Sequence, residues 1–552
     1  MPPLATYAHA VLPAALAAPF GTGLVLFLFG RKLPPAVRAF LALAGAVVPV
    51  VAAALVWANF GALTNPDSGY ACETRLPLGI APLGIALDLG VNSVSLPLFA
   101  LAALVGFAAV VTALSDKGAP VERAAAGDAA GSTPNASAAP PLSPNRSPAY
   151  LSLLLFMLGG MLGMFAASDL FFLYIFHEFA LIPTFLLMLI WGGIGRRTAA
   201  IQMAVYLTAG AMVALAGIVL LALKSDAGSF NLAVLQARLS ASPAPLDAAS
   251  ANWVFGLLLF GFGILASMFP FHSWAPATYT EAPTPVSMLH AGVLKNFGIY
   301  GLLQVALPLA PAGLERWAPV LFWLALGNVV LLGVVTMSQR NLKEMLSYSS
   351  VSHIGLCLLG VFAVSLGGGA TAVGLTVFLM FATGLSTAAL FALSRATQRR
   401  CGTLEMNECG GLATRAPVLA AFFVAAGLAS AGLPGFANFW AELGVFVSLS
   451  KLPVWQLALA LSGIVISAVY VLRAAAAVFF GAESEAVRAN APATGGDLRA
   501  AERVAAGVLL AVSLAVGFWP RLVTDLFPPA AVAGVTPSAP VPPRSVDAPA
   551  EP

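Results

Sequence analysis

Long apolar stretches separated by short polar connections run along almost the whole chain. A helix that crosses a bilayer needs roughly 20 consecutive apolar residues. If the long apolar segment 416–449 is treated as a single interrupted span, the sequence predicts about fourteen transmembrane helices and an all-α, polytopic membrane protein. The predicted spans are 10–29, 39–60, 94–114, 149–167, 169–191, 199–223, 253–271, 285–307, 316–337, 344–364, 369–394, 416–449, 453–480 and 502–519.

The composition supports this prediction. Of the 552 residues, 60% are hydrophobic and 9% are charged, whereas soluble domains carry about 25% charged residues. A net charge of +3 without a basic run argues against binding of nucleic acid. The four cysteines are widely scattered and form no CxxC motif, so they indicate neither a zinc site nor a disulfide framework. The N-terminus lacks the basic region of a signal peptide, so we expect the first span to be retained.

The distribution of Lys and Arg predicts the orientation in the membrane. The odd-numbered connections, with Arg503 at the start of the last span, hold 17 basic residues. The connections on the opposite side, with Arg316 at the start of the ninth span and with the tail, hold 7. Cytoplasmic loops are enriched in Lys and Arg, which predicts that both termini lie on the non-cytoplasmic side of a bacterial-type inner membrane. The connection at 115–148 and the tail at 528–552 are rich in Ala, Pro and Ser and are predicted to be disordered.

Two of the spans carry an interruption that contains proline. They read GFGILASMFPFHSWAP at 261–276 and GLASAGLPGFANFWAE at 427–442, and in each the triplet LAS precedes the proline. Interrupted helices at corresponding positions in two halves are typical of transporters with inverted repeats, whereas a proline kink in a packed helix is the simpler alternative. Because two related interruptions occur, we favour transport.

Few ionisable residues lie inside the predicted spans. Such residues mark ion and proton pathways in membrane proteins, and the charge on one alters the proton affinity of the next. We therefore predict a proton relay, although packing or hydrogen bonding to a neighbouring helix is an alternative role for each of its members. The predicted relay residues are Glu178, Lys295, His353 and Glu442.

The other ionisable residues near membrane depth are given structural roles. Arg473 lies near the cytoplasmic end of its helix and is interpreted as an anchor, and His177 and His290 are interpreted as packing residues. The sequence contains no P-loop, no haem motif and no iron–sulfur cysteine spacing. We therefore expect no cofactor, no metal and no redox centre in this chain, and an independent membrane enzyme is the least favoured class.

Several motifs along the chain are considered together. They are LGVNSVSLPL, DLFFLYIFHEFALIP, FPFHSWAP, EAPTPVSML, LKEMLSYSSVSHIG, GLSTAALF and GLASAGLPGFANFWAE. They resemble the antiporter-like subunits shared by respiratory complex I, multisubunit Na⁺/H⁺ antiporters and membrane-bound hydrogenases. The resemblance extends from about residue 85 and is greatest to the M-type chain of NADH:quinone oxidoreductase, because of VSHIG and GLSTAALF.

The resemblance implies a fold and a function. It implies two inverted five-helix repeats, each with a broken helix, and a proton-translocating membrane subunit coupled to electron transfer elsewhere in a complex I-type assembly. The chain would then be part of an enzyme only as a subunit, with other membrane-arm and peripheral subunits, the lipid bilayer and protons as its partners. The implied division is 1–114 (helices 1–3), 149–307 (first repeat), 316–480 (second repeat) and 502–527 (C-terminal helix).

Other functions remain open at this stage. The chain could instead be the membrane subunit of a Na⁺/H⁺ antiporter or of a membrane-bound hydrogenase. A third alternative is a degenerate structural subunit that does not conduct protons.

The family's relay residues are matched only in part. The resemblance implies a glutamate in the fifth helix and an ionisable residue in the twelfth, where this chain has Glu178 and Glu442, and His353 matches the histidine of the SxSHxG motif. The lysine position of the seventh helix holds Leu265. In the eighth helix the lysine stands one residue earlier, at Lys295, which corresponds to about 100° of helix rotation.

Further departures concern polar residues near these positions. Asn296 occupies the usual lysine position of the eighth helix, and Tyr279 and Thr383 replace two of the family's histidines. Because Leu265 occupies the lysine position of the seventh helix, Glu178 lacks its usual lysine partner. Lys224 and His272 are secondary candidates for the relay. These departures weaken the prediction of proton conduction more than that of family membership.

Overall fold

Helices form nearly all of the described chain, because a segment in lipid must satisfy its backbone N–H and C=O groups internally. The structure is a computed structural model, and it describes residues 8–80, 84–115, 147–241, 246–491 and 497–527. Most of the predicted disordered connection (residues 116–146) and the predicted disordered tail (residues 528–552) lie outside the described residues.

Fourteen helical spans cross the described part of the molecule, as the apolar pattern predicted. Twelve helices are long and apolar enough to cross a bilayer, and the interrupted helices α8 and α12 add two more. The spans are α1 (Ala8–Phe29), α2 (Pro35–Ala58), α3 (Ser95–Ser115), α4 (Pro148–Ala166), α5 (Leu170–Trp191), α6 (Arg196–Ser225), α7 (Ala248–Leu265 and Trp274–Glu281), α8 (from Thr284–Leu289 to Leu307–Leu309), α9 (Pro311–Ser338), α10 (Leu342–Ala363), α11 (Gly369–Cys401), α12 (Pro417–Ser430 and Ala437–Ser448), α13 (Val454–Phe479) and α14 (Ala500–Phe518).

A β-hairpin lies between α2 and α3, where the sequence analysis predicted only a connection. Strand β1 (Ala71–Ile80) pairs antiparallel with β2 (Ile85–Val91), with Thr74 opposite Leu89. Four short helices also lie between or after the spans: Phe60–Leu63, Leu232–Leu239, Glu485–Asn490 and Arg521–Thr524. The prediction of an all-α membrane protein is therefore confirmed, with this one hairpin as an addition.

Two π-helical turns interrupt the α-helical geometry of α8. They span His290–Leu294 and Leu302–Ala306, and a third π-helical segment, Gly327–Leu332, lies within α9. Such turns are rare and occur frequently at functional sites. The first one ends directly before Lys295, whose backbone N–H donates to the carbonyl of His290 at 3.1 Å. The π-helical turn therefore determines the direction in which the Lys295 side chain leaves the helix.

Helix α7 is broken between Leu265 and Trp274, as the sequence predicted, and a neighbouring side chain satisfies the exposed backbone. The Asn328 amide donates to the carbonyls of Ser267 (3.1 Å) and Val351 (3.0 Å), and its side-chain oxygen accepts from the Phe269 N–H at 2.7 Å. Unwound backbone at membrane depth persists only where protein or water satisfies it. Asn328 is fully buried and has this role here.

The helices α10 and α11 occupy the centre of the molecule. Within their most apolar windows 89% and 94% of the residues are buried, compared with 33% in α1 and 28% in α13. The outer helices therefore leave apolar side chains exposed on the surface of this chain, whereas α10 and α11 are surrounded by protein. Residues that α10 carries, including His353, are consequently shielded from the bilayer.

The predicted boundaries differ from the observed ones where polar residues continue a helix. Helix α11 ends at Cys401 rather than at residue 394, because Arg399 and Arg400 pair with Glu502 at 2.6 and 3.1 Å. Helix α10 begins at Leu342, which moves Lys343 out of the connection and into the first turn of the helix. The division into two repeats remains a prediction.

We expect Asn328→Leu to destabilise the protein, because three backbone groups lose their partner in a buried site. The free energy of unfolding should fall by about 1–3 kcal/mol, which thermal denaturation of the detergent-purified protein would detect as a lower melting temperature. Asn59→Ala, which removes a hydrogen bond at the exposed end of α2, is the matched control. An equal effect of the two substitutions would contradict the role given to Asn328.

Candidate functional site

The four predicted relay residues lie on four different helices, α5, α8, α10 and α12. Lys295, His353 and Glu442 are 1%, 5% and 4% exposed, whereas the Glu178 side chain is 31% exposed. The three buried residues come together on and around α10. Glu178 is set apart from them on α5.

Lys295 points into the protein rather than toward lipid. Its ammonium donates to the backbone carbonyl of Ser350 at 3.0 Å and to the Ser350 hydroxyl. Ser350 lies on α10, and its hydroxyl also donates to the carbonyl of Ala291 on α8. The lysine that stands one residue early in the sequence is thus directed to the central helix.

His353 connects α10 to the break in α12. Its Nδ1 lies 2.8 Å from the Ser349 carbonyl and its Nε2 lies 3.0 Å from the Ser430 carbonyl, at the end of the first half of α12. A carbonyl only accepts hydrogen bonds, and a neutral imidazole carries one N–H. The neutral ring can therefore donate to one of these carbonyls at a time, and a second proton on the ring would satisfy both.

Glu442 faces the same break from the second half of α12. A Cβ placed at Gly432 would stand 2.5 Å from Glu442 Oε2, and Gly432 has a positive φ of 73°. Any larger residue at Gly432 would therefore displace the carboxylate.

Tyr470 links Glu442 to α10. It interacts electrostatically with Glu442, and its hydroxyl accepts from Ser349 Oγ at 2.9 Å. A buried pair of hydroxyl groups, on Ser349 and Tyr470, thus lies within electrostatic range of the carboxylate.

Glu178 has its contacts on its own helix. Its carboxylate lies 3.8 Å from Nδ1 of His177, and it also interacts with Tyr174. A distance of 3.8 Å is too long for a hydrogen bond but allows an ion pair if the imidazole is protonated. Among the contacts of the described residues, none joins Glu178 directly to Lys295.

The secondary candidates Lys224 and His272 lie at a helix end and in a helix break, and their place in the relay stays a prediction. Lys224 is exposed in the last turn of α6 and interacts with Asp247. His272 lies in the break of α7 with its ring 5.7 Å from that of Phe269. Leu265 is buried at the end of the first half of α7. In the described part of the chain, no group of three or more His, Cys, Asp or Glu residues is placed to hold a metal ion.

Arg473 is exposed on α13 and holds the end of α9. It donates to the carbonyls of Met337 and Gln339. These contacts agree with its interpretation as an anchor.

Lys343 is a buried lysine that the sequence analysis missed. It is 9% exposed, and its ammonium donates to the carbonyl of Ala282, directly after the second half of α7, at 2.5 Å. The predicted span began at residue 344, so Lys343 was counted among the charges of a connection. Reassigning it lowers the count of basic residues in the odd-numbered connections from 17 to 16. The sequence LKEML at the start of α10 is amphipathic and did not by itself indicate a buried lysine.

These groups can exchange protons along α10. Serine and tyrosine hydroxyls both donate and accept hydrogen bonds, and Cys357 lies within electrostatic range of both Lys295 and Glu442. A proton bound at one of these residues therefore affects the charge that the next can carry. The arrangement supports proton transfer between ionisable side chains.

Comparison with known proteins identifies relatives for most of the chain. Residues 167–467 match the family model described as NADH:quinone oxidoreductase/Mrp antiporter, transmembrane region. The NAD(P)H-quinone oxidoreductase chain 4 of Gloeobacter violaceus is 33% identical over 384 residues, which cover 68% of this chain and 71% of that protein. Residues 167–467, which match the family model, contain all four predicted relay residues.

The fold also has counterparts among solved structures. A chain of respiratory complex I from Thermus thermophilus superimposes with a TM-score of 0.76 and 28% identity, covering 95% of this chain and 99% of that one. A chain of the Mrp complex from Dietzia sp. gives a TM-score of 0.76 at 18% identity, covering 96% and 99% of the two chains. The second likeness concerns the fold alone.

We expect Lys295→Met to leave the stability of the protein unchanged or to increase it. An ammonium without a carboxylate partner is costly to bury, and apolar residues of similar volume often replace buried charges at no loss. Ser350→Ala, which keeps the charge and removes its hydroxyl partner, should lower the melting temperature. If Lys295→Met proved the more destabilising of the two, Lys295 would be a structural residue.

Proposed function

The chain belongs to the NADH:quinone oxidoreductase/Mrp antiporter family, and from this we propose that it is a proton-translocating membrane subunit of a complex I-type assembly. We propose further that it is the M-type subunit and that electron transfer in other subunits drives its proton transfer. The similarity to the NAD(P)H-quinone oxidoreductase chain 4 of Gloeobacter violaceus, over two thirds of both chains, supports this assignment.

One observation carries the proposal: three ionisable side chains from different helices meet at the central helix α10. Lys295 binds Ser350, His353 binds the Ser430 carbonyl, and Glu442 lies beside the same break. A charged group at membrane depth costs about 2.5–3.5 kcal/mol or more. Such groups are retained where they move protons, so we assign proton relay to Glu178, Lys295, His353 and Glu442.

The setting of the subunit follows from the same proposal. Its partners are the other membrane subunits and the peripheral subunits of the assembly, and its ligand is the proton. The excess of basic residues in the odd-numbered connections supports an inner membrane location with both termini on the non-cytoplasmic side.

A second candidate function is that of a non-conducting structural subunit. Two observations favour it: Leu265 stands where the family's relay implies a lysine, and Glu178 has no direct contact with Lys295 in the described chain. The Mrp-like fold also allows a Na⁺/H⁺ antiporter subunit. Proton measurements on the assembled complex separate these functions.

We expect Lys295→Met and Glu442→Gln each to slow proton uptake by inverted membrane vesicles during respiration. Each removes a group that must carry the proton, and an added barrier of about 1.4 kcal/mol slows a step about tenfold. The measurement is the number of protons taken up per electron pair, at a level of assembled complex equal to that of the unaltered protein. Glu315→Gln, at an exposed position on α9, is the matched control.

The alternatives predict different results in the same vesicles. A structural subunit would leave the proton-to-electron ratio of both variants at the unaltered value. A Na⁺/H⁺ antiporter subunit would make proton movement depend on Na⁺, so replacing Na⁺ with choline should abolish it, whereas a proton relay should be insensitive to that replacement.

A further inference from the structure

Buried aromatic and histidine side chains lie between Glu178 and Lys295. The family's relay implies a lysine there, which is absent at Leu265. In its place the structure brings together two buried histidines, His177 on α5 and His290 on α8, which are 2% and 1% exposed. The sequence analysis interpreted both as packing residues.

His177 extends from Glu178 toward α8. Its Nδ1 lies 3.8 Å from the Glu178 carboxylate. Its ring stacks on Phe297 with centroids 4.4 Å apart and planes 16° apart, and Phe297 is two residues beyond Lys295 on α8. His177 therefore touches the carboxylate on one side and the lysine-bearing helix on the other.

His290 continues the path along α8. It interacts electrostatically with His177, and its carbonyl accepts the hydrogen bond from the Lys295 N–H, so one π-helical turn separates the two residues. The second half of α7 covers the other side of the ring, with the Tyr279 ring 5.2 Å and the Trp274 ring 5.5 Å away. Protein therefore encloses the His290 ring, and the residue is 1% exposed.

Three polar atoms of this cluster are buried without a hydrogen-bond partner in the protein. They are Nδ1 of His177, Nδ1 of His290 and the hydroxyl of Tyr279. Burying such a group unpaired costs about 1–3 kcal/mol, and buried polar groups that lack a protein partner are commonly bonded to internal water. Three such atoms on residues that interact with one another are difficult to explain by packing alone, since phenylalanine has no polar atom to leave unpaired.

We propose that His177 and His290, bridged by internal water, carry protons between Glu178 and Lys295 in place of the lysine missing from α7. The inference rests on the proposed function. Each imidazole binds a proton at one ring nitrogen and releases the proton of the other nitrogen to the next acceptor, so the ring ends neutral and one proton has moved. The Tyr279 hydroxyl lies beside His290 and orients the bridging water.

The test compares His177→Phe and His290→Phe in the assembled complex. Phenylalanine supplies a flat ring that can stack on Phe297 and pack edge-on against Tyr279, but it cannot bind a proton. We expect each variant to slow respiration-driven proton uptake by vesicles about tenfold, and the double variant to be no slower than the slower single one because both lie on one path. His9→Phe, which alters an exposed histidine of α1, is the control.

A rescue experiment separates proton transfer from packing. Adding Leu265→Lys to the double variant supplies a protonatable group at the end of the first half of α7, and proton uptake should recover at least in part. A defect of packing would not be repaired by a second substitution of that kind. If the phenylalanine variants fail to assemble, His177→Gln and His290→Gln, which retain polar atoms but do not titrate, take their place.

The outcomes distinguish this inference from the proposed function. If Lys295→Met blocks proton uptake while the double histidine variant pumps at the unaltered rate, the histidine link is wrong and the proposed function stands. If Lys295→Met and the histidine variants all pump normally, the proposed function fails and the link fails with it.

Discussion

The need to satisfy backbone groups inside lipid determines the centre of this protein. Each of the two broken helices exposes carbonyl and N–H groups that have no partner in their own helix, and at membrane depth such groups need a partner from protein or water. Side chains of neighbouring helices take over: Asn328 holds the break of α7, and the ring of His353 holds the Ser430 carbonyl at the break of α12. The polar interior of the molecule is built around these two sites.

Helix α10 joins the two breaks. Asn328, which binds the first break, also donates to the carbonyl of Val351, and His353, which binds the second, lies two residues further along α10. The same helix accepts the ammonium of Lys295 through Ser350. Support of the unwound backbone and the burial of the Lys295 ammonium therefore depend on one turn of one helix. A change in the charge of His353 would alter a hydrogen bond on which the shape of α12 depends.

The sequence predicted the helices well because their signal is local and strong. The apolar runs, the two LAS-to-proline interruptions and the isolated charges each lie within about 20 residues, and the number of spans, both breaks and the burial of Lys295 were confirmed. Contacts between distant segments were not predictable in this way. Asn328 appeared to be an ordinary polar residue, Lys343 stood one residue outside its predicted helix, and His177 and His290 gained importance only when α5 and α8 were seen to pack together.

The enclosure of α10 and α11 has a consequence for how the protein is made. Helix α10 carries a run of serines beside His353, and α11, which packs against it, also packs against α12 and α14. Both of these helices follow later in the chain. The enclosure of the two central helices is therefore complete only after the C-terminal spans have been inserted.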